Sequence, residues 1–256
     1  SWRRADHVAF NGMFADRAGS LIVFKDEHPL GTALITHLSS NGIEPIVVSA
    51  GSAFRRENKD RYTVRPGERH DYDLLLLAMR DDGRTIGHIF HLWSMTVDSQ
   101  ARSLAESQVR NFFSLFFLAQ ALEGVRALMP SGKKVEITVV TDQLEDVTGD
   151  EFLLPEKALL LGPCRVIPQE YFQLACRVVD VELQSVDEIV DVRLVKQILA
   201  ESQTDLVESV VAYRGPHRWI QYFEPIACPE SIRSCVRQNG VYVITGGLGG
   251  VGLTLA

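Results

Sequence analysis

Short apolar runs alternate with apolar residues at helical spacing along most of the chain. Ser20-Leu21-Ile22-Val23-Phe24 is a run of the length and character of a buried strand. Leu30, Ala33, Leu34 and Leu38 follow at helix period, and Asn41-Gly42 supplies a left-handed helix stop before Ile46-Val47-Val48, the next strand. That is one β-α-β unit. Polar residues 54–70 predict a loop with a short edge strand at Tyr62-Thr63-Val64. Asp71 to Met79 predicts a helix opened by acidic residues, and Gly87 to Trp93 the strand after it. A long helix is expected over about Arg102 to Leu128, its core face made by Val109, Phe112, Phe113, Phe116, Leu122 and Val125.

The alternation continues to the end. Val135 to Thr141 is a strand, Pro155 to Leu161 begins a helix with proline in its first turn, and Cys176 to Val181 is a further strand. Asp187 to Glu201 is an amphipathic helix, and Val210 to Tyr213 with Arg218 to Phe223 predicts a hairpin around Gly215-Pro216. After a stretch holding Pro225 and Pro229, Val241-Tyr242-Val243-Ile244 predicts a strand that runs into a glycine-rich turn. Strands separated by helices of this length imply an α/β protein: a mostly parallel, Rossmann-like sheet with helices on both faces.

The turn Thr245-Gly246-Gly247-Leu248-Gly249-Gly250-Val251-Gly252 stands between a predicted strand and a helical pattern. In that context glycines allow the tight turn and the close backbone approach that a pyrophosphate needs, and the helix start supplies N–H donors. Thr245, Gly246, Gly247, Leu248, Gly249 and Gly252 are the candidate cofactor-binding residues. The first β-α-β unit aligns on this turn without a gap: Ile22-Val23-Phe24 falls on Val243-Ile244-Thr245, and Gly31 falls on Gly252. Between them Lys25-Asp26-Glu27-His28-Pro29-Leu30 replaces the glycines. Two carboxylates would repel a pyrophosphate and Pro29 lacks a donor, so the first unit is a degenerate copy.

Composition narrows the partners. The 256 residues carry 26 basic against 33 acidic side chains, a net charge of −7, which argues against nucleic acid and anionic membranes. No apolar run approaches the roughly 18–20 residues of a membrane span. The chain lacks an initiator Met and is expected to be a piece of a longer protein. Cysteines 164, 176, 228 and 235 show no CxxC spacing and are expected to be reduced thiols in a cytoplasmic protein. His88 and His91 would point to opposite faces of one strand, so no metal site is expected. Asp142, Glu145, Asp146, Asp150 and Glu151 form an acidic loop expected to be solvated. No Tyr has a Lys four residues on, so no catalytic residue of a short-chain reductase is assigned.

In order along the chain, Leu30-Gly31-Thr32-Ala33-Leu34, His91-Leu92-Trp93-Ser94, Phe113 to Leu122, Val139-Val140-Thr141, Leu160 to Tyr171, Val211 to Arg214, Arg218-Trp219 and Tyr242 to Gly250 resemble the ketoreductase region of modular polyketide synthases. The stretch Gly162 to Tyr171 is the most specific. The resemblance implies an N-terminal linker or edge strand over 1–19, a truncated Rossmann-like structural subdomain over 20–236 and the start of a catalytic subdomain over 237–256. It implies a non-catalytic brace for the subdomain that reduces a β-keto thioester on an acyl carrier protein with NADPH. Its expected partners are that catalytic subdomain, neighbouring synthase domains and the acyl carrier protein, and this chain alone is expected not to hold NADPH tightly. The alternatives are a pseudo-ketoreductase scaffold and an NADP-dependent oxidoreductase whose catalytic half lies outside this chain.

Overall fold

The computed structural model describes residues 1–8, 19–96, 103–125, 134–183, 191–204, 208–226 and 236–255. Two compact units, Ser1–Tyr222 and Phe223–Ala256, divide the chain.

The first unit is built on one sheet of ten strands. In chain order they are β1 (Trp2–Ala5), β2 (Ser20–Lys25), β3 (Ile46–Ala50), β4 (Arg55–Arg56), β5 (Arg61–Val64), β6 (Ile86–Ser94), β7 (Val135–Asp142), β8 (Leu174–Val181), β9 (Val210–Arg214) and β10 (His217–Gln221). In space they run β1-β10-β9-β8-β7-β6-β2-β3-β5-β4. Every pairing from β9 across to β5 is parallel, while β10, β1 and β4 are antiparallel additions at the two edges. Counted along the chain, the parallel strands stand in the order 3-2-1-4-5-6-7, a dinucleotide-fold order with its topological switch point between β2 and β6. β5, expected at an edge, is interior because β4 pairs outside it.

Helices make the crossovers. α1 (Pro29–Ser40) joins β2 to β3, and α2 (Arg69–Asp81) joins β5 to β6. A continuous helical rod, α3 (Leu104–Ser107), a π-helical segment Gln108–Phe113 and α4 (Ser114–Gly124), lies between β6 and β7. A 3-10 turn, Pro155–Leu160, leads into α5 (Leu161–Glu170) before β8, and α6 (Val192–Glu201) precedes β9. The long helix and the amphipathic helix expected from sequence extend at 102, at 126–128 and over 187–190 into positions outside the described residues. The β3–β5 crossover has no helix; the hairpin strand β4 takes its place, and this is where the fold is truncated. One core lies on the α2, α4 and α5 side of the sheet, and a second on the α1 and α6 side.

Local chemistry sets these elements. β6 is buried along all nine residues, as a central parallel strand covered on both faces must be. The side chain of His28 caps α1, Pro29 starts it, and Gly42 at φ +78° follows its end. Asp191 caps α6 by accepting from Arg193 N–H at 2.8 Å. Arginines stand at both sheet edges, Arg3 and Arg4 on β1 and Arg55 and Arg56 on β4, where charge disfavours pairing with another chain.

In the second unit α7 (Gly250–Leu255) follows the glycine turn. The strand expected at Val241–Ile244 is not formed: these residues pair with no other strand and are exposed. A strand is stable only with a neighbour to complete its hydrogen bonds, and none is present beside this segment among the described residues.

Candidate functional site

At the switch point a dinucleotide fold presents the N–H groups of its first strand-to-helix turn to a pyrophosphate. Here those donors are consumed or missing. Asp26 Oδ1 accepts from His28 N–H at 3.0 Å, and His28 Nδ1 accepts from Leu30 N–H at 3.1 Å. Pro29 has no N–H, and Gly31 N–H donates to His28 O at 3.2 Å. Asp26 and His28 are buried. Burial holds the His28 imidazole below its ordinary pKa, with Asp142 acting to raise it and Lys157 to lower it. The neutral ring can therefore remain the helix cap, since a protonated Nδ1 could not accept.

The crevice beyond that turn is stitched shut. Trp93 Nε1 donates to Lys25 O at 2.9 Å, tying the end of β6 to the end of β2. Asp142, the last residue of β7, accepts from Thr96 N–H at 2.9 Å and from Lys157 Nζ at 2.5 Å. Lys157 also donates to Thr96 Oγ1 at 2.8 Å. The Lys157 and Asp142 side chains are each 5% exposed, so the pair excludes water from the ends of β6 and β7. Sequence reasoning missed this cluster. Its members come from separate segments, and nothing local to Lys157 or Thr96 marks them as partners.

The acidic loop after β7 is solvated only in part: Asp146 and Asp150 are exposed, as expected from sequence, whereas Asp142 is buried and Glu145 and Glu151 are half-buried. Asp142 is buried in the ion pair just described. Glu151 folds back onto the loop, accepting from the N–H groups of Val147, Thr148 and Gly149. It also accepts from Arg214 Nε at 2.9 Å. Burial alone would raise its pKa, but Arg214 and the N–H groups hold the carboxyl well below its usual range. Arg214 reaches Asp180 at 2.7 Å as well, and Asp180 accepts from Leu144 and Glu145 N–H. Burial pushes the Asp180 and Glu145 carboxyls up. A second buried network, also missed, centres on Glu201: it accepts from Tyr213 Oη at 2.6 Å, Arg218 Nε at 2.5 Å and Arg177 at 3.1 Å, locking α6 to β8, β9 and β10.

The sequence-assigned turn is formed in the second unit. Thr245 to Leu248 make the turn, Gly246 has φ +71°, and Gly249 N–H donates to Gly246 O at 2.9 Å. A Cβ on Gly252 would lie 2.5 Å from Gly246 O and from Gly247 Cα. The aligned glycines are both crowded, though by different atoms. Gly31, aligned with Gly252, has its own close approach: a Cβ there would lie 3.0 Å from Lys25 Cβ, and Lys25 aligns with Gly246. The residues of the second turn fit the opening of a pyrophosphate cradle; those of the first do not.

His88 and His91 do lie on opposite faces. His88 Nε2 is 3.0 Å from Thr138 Oγ1, and His91 Nε2 is 3.1 Å from Ser114 Oγ, which donates to Arg110 O. Burial pushes the His91 pKa down to about 3. No group of side chains able to hold a metal occurs among the described residues. Cys164 and Cys176 are buried free thiols; Cys228 and Cys235 lie outside the described residues. Not all of the phenylalanines assigned to the core of the long helix lie there. Phe113 and Phe116 are 38% and 39% exposed, and Phe112 is only partly buried. Their rings join Phe117 in a stack on the outer surface. The helix carries apolar residues on more of its circumference than the sheet can cover, and the π segment shifts the angular register before α4.

A seven-strand parallel sheet in this order, with a strand-to-helix turn at its switch point, defines an α/β protein of the short-chain dehydrogenase architecture. The chain belongs to the family described as beta-ketoacyl synthase-like, N-terminal, whose model matches residues 19–197. Among curated proteins it is 30% identical over 135 residues to a phenolphthiocerol/phthiocerol polyketide synthase chain of Mycobacterium tuberculosis (strain CDC 1551 / Oshkosh), and equally to one of strain ATCC 25618 / H37Rv. Those matches cover 52% of this chain and 7% of either relative. Its fold is that of polyketide synthase ketoreductase regions. An N-terminal ketoreductase from a macrolactin assembly line superposes with a TM-score of 0.76 at 20% identity, over 100% of this chain and 49% of that one. A multidomain structure of a keto acid-selecting NRPS module, with adenylation, ketoreductase and pseudo Asub parts, gives 0.78 at 24%, over 100% of this chain and 21% of that one. The first ketoreductase of the tylosin synthase gives 0.61 at 19%, over 98% and 46%. No helix among the described residues is long and apolar enough to cross a membrane.

Proposed function

We propose that this chain supplies the non-catalytic structural subdomain of a polyketide synthase ketoreductase region. Its role is to brace the subdomain that reduces a β-keto thioester on an acyl carrier protein with NADPH. The observation that carries this reading is the sealed switch point. The N–H groups of His28, Leu30 and Gly31 are already bonded, Pro29 has none, and the Lys157–Asp142–Thr96 cluster joins the strand ends beside them.

In this reading NADPH belongs to the catalytic subdomain. Thr245, Gly246, Gly247, Leu248, Gly249 and Gly252 open its pyrophosphate turn, and the tight Gly252–Gly246 approach supports a working cradle there over a pseudo-ketoreductase. The stacked Phe113 and Phe116 surface supports a covering partner.

Fluorescence titration tests the reading. This chain should bind NADPH no more tightly than about 1 mM, near −4 kcal/mol, because isolated charge-assisted contacts barely offset the cost of association. It should show no turnover of a β-keto thioester. Micromolar affinity would overturn the assignment of the first turn as degenerate, and alcohol formation would overturn the non-catalytic role.

A further inference from the structure

The segment between β7 and the 3-10 turn Pro155–Leu160 is a loop closed at its base. Gln143 has φ +54°, a left-handed value that turns the chain directly after Asp142, and Leu154 N–H donates to Gln143 O at 2.9 Å. Thr96 Oγ1 donates to Gln143 Oε1 at 3.2 Å, which anchors the base on the Lys157–Asp142–Thr96 cluster. Between Gln143 and Leu154 every residue is half-buried or exposed, and Phe152 is 73% exposed. Leu144 packs partly against the core. Apolar burial therefore contributes little to holding the loop in place.

Two sets of polar contacts hold it instead. One is internal to the loop: the Glu151 carboxylate accepts from Val147, Thr148 and Gly149 N–H at 3.1, 2.9 and 3.0 Å. The other ties the loop to the sheet and converges on Arg214, at the end of β9. Arg214 Nε donates to Glu151 Oε1 at 2.9 Å, and Nη2 donates to Glu145 O and to Asp180 Oδ2, both at 2.7 Å. Asp180, near the end of β8, accepts in turn from Leu144 and Glu145 N–H, each at 3.3 Å. Arg214 Nη1 donates to Tyr213 O at 3.1 Å, which orients the guanidinium on its own strand. The Glu145 carboxyl adds a tie to Gln221 and faces Arg165.

We propose that residues 144–152 are a strap that opens as a unit from the ends of β7, β8 and β9, with Arg214 as its latch. The closed base at Gln143 and Leu154 is the hinge, and the Glu151 bonds keep the strap's shape as it moves. The contacts to Arg214, Asp180 and Gln221 are those that break. A segment held by hydrogen bonds to a few charged groups, with little apolar area buried, opens at lower free energy than the strands beneath it. Opening bares Arg214 and Asp180, whose side chains are 7% and 0% exposed in the closed form. They stand at the carboxyl ends of parallel strands, the side on which α/β folds take their ligands. The strap goes beyond the bracing role and does not rest on it.

The test is native-state amide hydrogen exchange on the full chain, read residue by residue by NMR. In the parent, Leu144 and Glu145 should exchange about tenfold or more faster than Ile137 and Val139 of β7, and with less dependence on urea. R214K keeps a cation but loses the planar fork that reaches several acceptors, and it should speed Leu144 and Glu145 about tenfold. Val147, Thr148 and Gly149, held inside the strap by Glu151, should gain less. L118A, a core change whose contacts persist when the strap opens, should speed Ile137 and Val139 and leave Leu144 and Glu145 as in the parent. Thermal melts show that each variant is folded; D180N, which removes the charge Arg214 faces on β8, serves in place of R214K if that is not. Equal rates and urea dependence of the strap and β7 amides in the parent would overturn the proposal, as would unchanged Leu144 and Glu145 rates in R214K. Acceleration of the strap by L118A as large as that of β7 would also overturn it, because the strap would then open only with the whole domain.

Discussion

Lys157 Nζ lies 2.5 Å from Asp142 Oδ1 where the end of β7 meets the 3-10 turn after it, with both side chains 5% exposed. The pair occupies the end of the sheet where related architectures keep an open crevice. Lys157→Met should cost about 3–5 kcal/mol in urea unfolding, because it strands a buried carboxylate. Asp142→Asn in the same chain should return much of that loss. A double variant whose destabilisation is the sum of the single ones would show that the two groups are not coupled.

The Gly31–Lys25 approach is a packing constraint inherited with the turn. Gly31→Ala places a Cβ 3.0 Å from Lys25 Cβ and should cost about 1–3 kcal/mol, the range of overpacking. Adding Lys25→Gly removes the opposing Cβ and should relieve part of the strain. The quantity to read is the coupling in a double-variant cycle; a value near zero refutes the contact.

Acid should weaken the fold through its histidines. The His28 pKa is lowered by burial, and that of His91 is pushed down to about 3, while an unfolded histidine titrates near 6.5. The unfolded chain therefore binds more protons below about pH 6.5, so this contribution is complete above that pH and is lost progressively as pH falls toward the folded value. Urea midpoints between about pH 7 and 5 should decline, and His91→Gln should flatten the decline. An unchanged slope in that variant would remove His91 from the account.

The stacked phenylalanines should behave as surface. Phe116→Glu should change stability by about 1 kcal/mol or less, whereas Leu118→Ala, buried on the same helix, should cost about 2–5 kcal/mol. Sedimentation should show weaker self-association of the Phe116→Glu chain, since an exposed apolar patch drives it. Equal costs for the two substitutions would place Phe116 in the core after all.

Residues 1–222 should fold without the remainder, because the chain divides into compact units after Tyr222. The truncated protein should melt within about 2 °C of the full chain, a difference below 1 kcal/mol for a domain of this size. A larger drop would mean that the second unit contributes to the stability of the first.

Periodicity along the chain determined most of the order of strands and helices and the parallel sheet. These are local signals: runs of Val and Ile, helical spacing, and glycines or prolines at turns. Tertiary structure alone decided which polar groups meet. Asp142 and Lys157 are fifteen positions apart, and Arg177, Glu201 and Arg218 lie on three different elements, so no local pattern could pair them. It also decided which apolar residues are covered. Phe113 and Phe116 have the same hydrophobicity as core phenylalanines, but burial depends on what packs against a helix face and on the register set by the π segment, and neither is written in the spacing of one helix. The strand at Val241–Ile244 fails for the same reason: the propensity is local, while the hydrogen bonds that realise it must come from another strand.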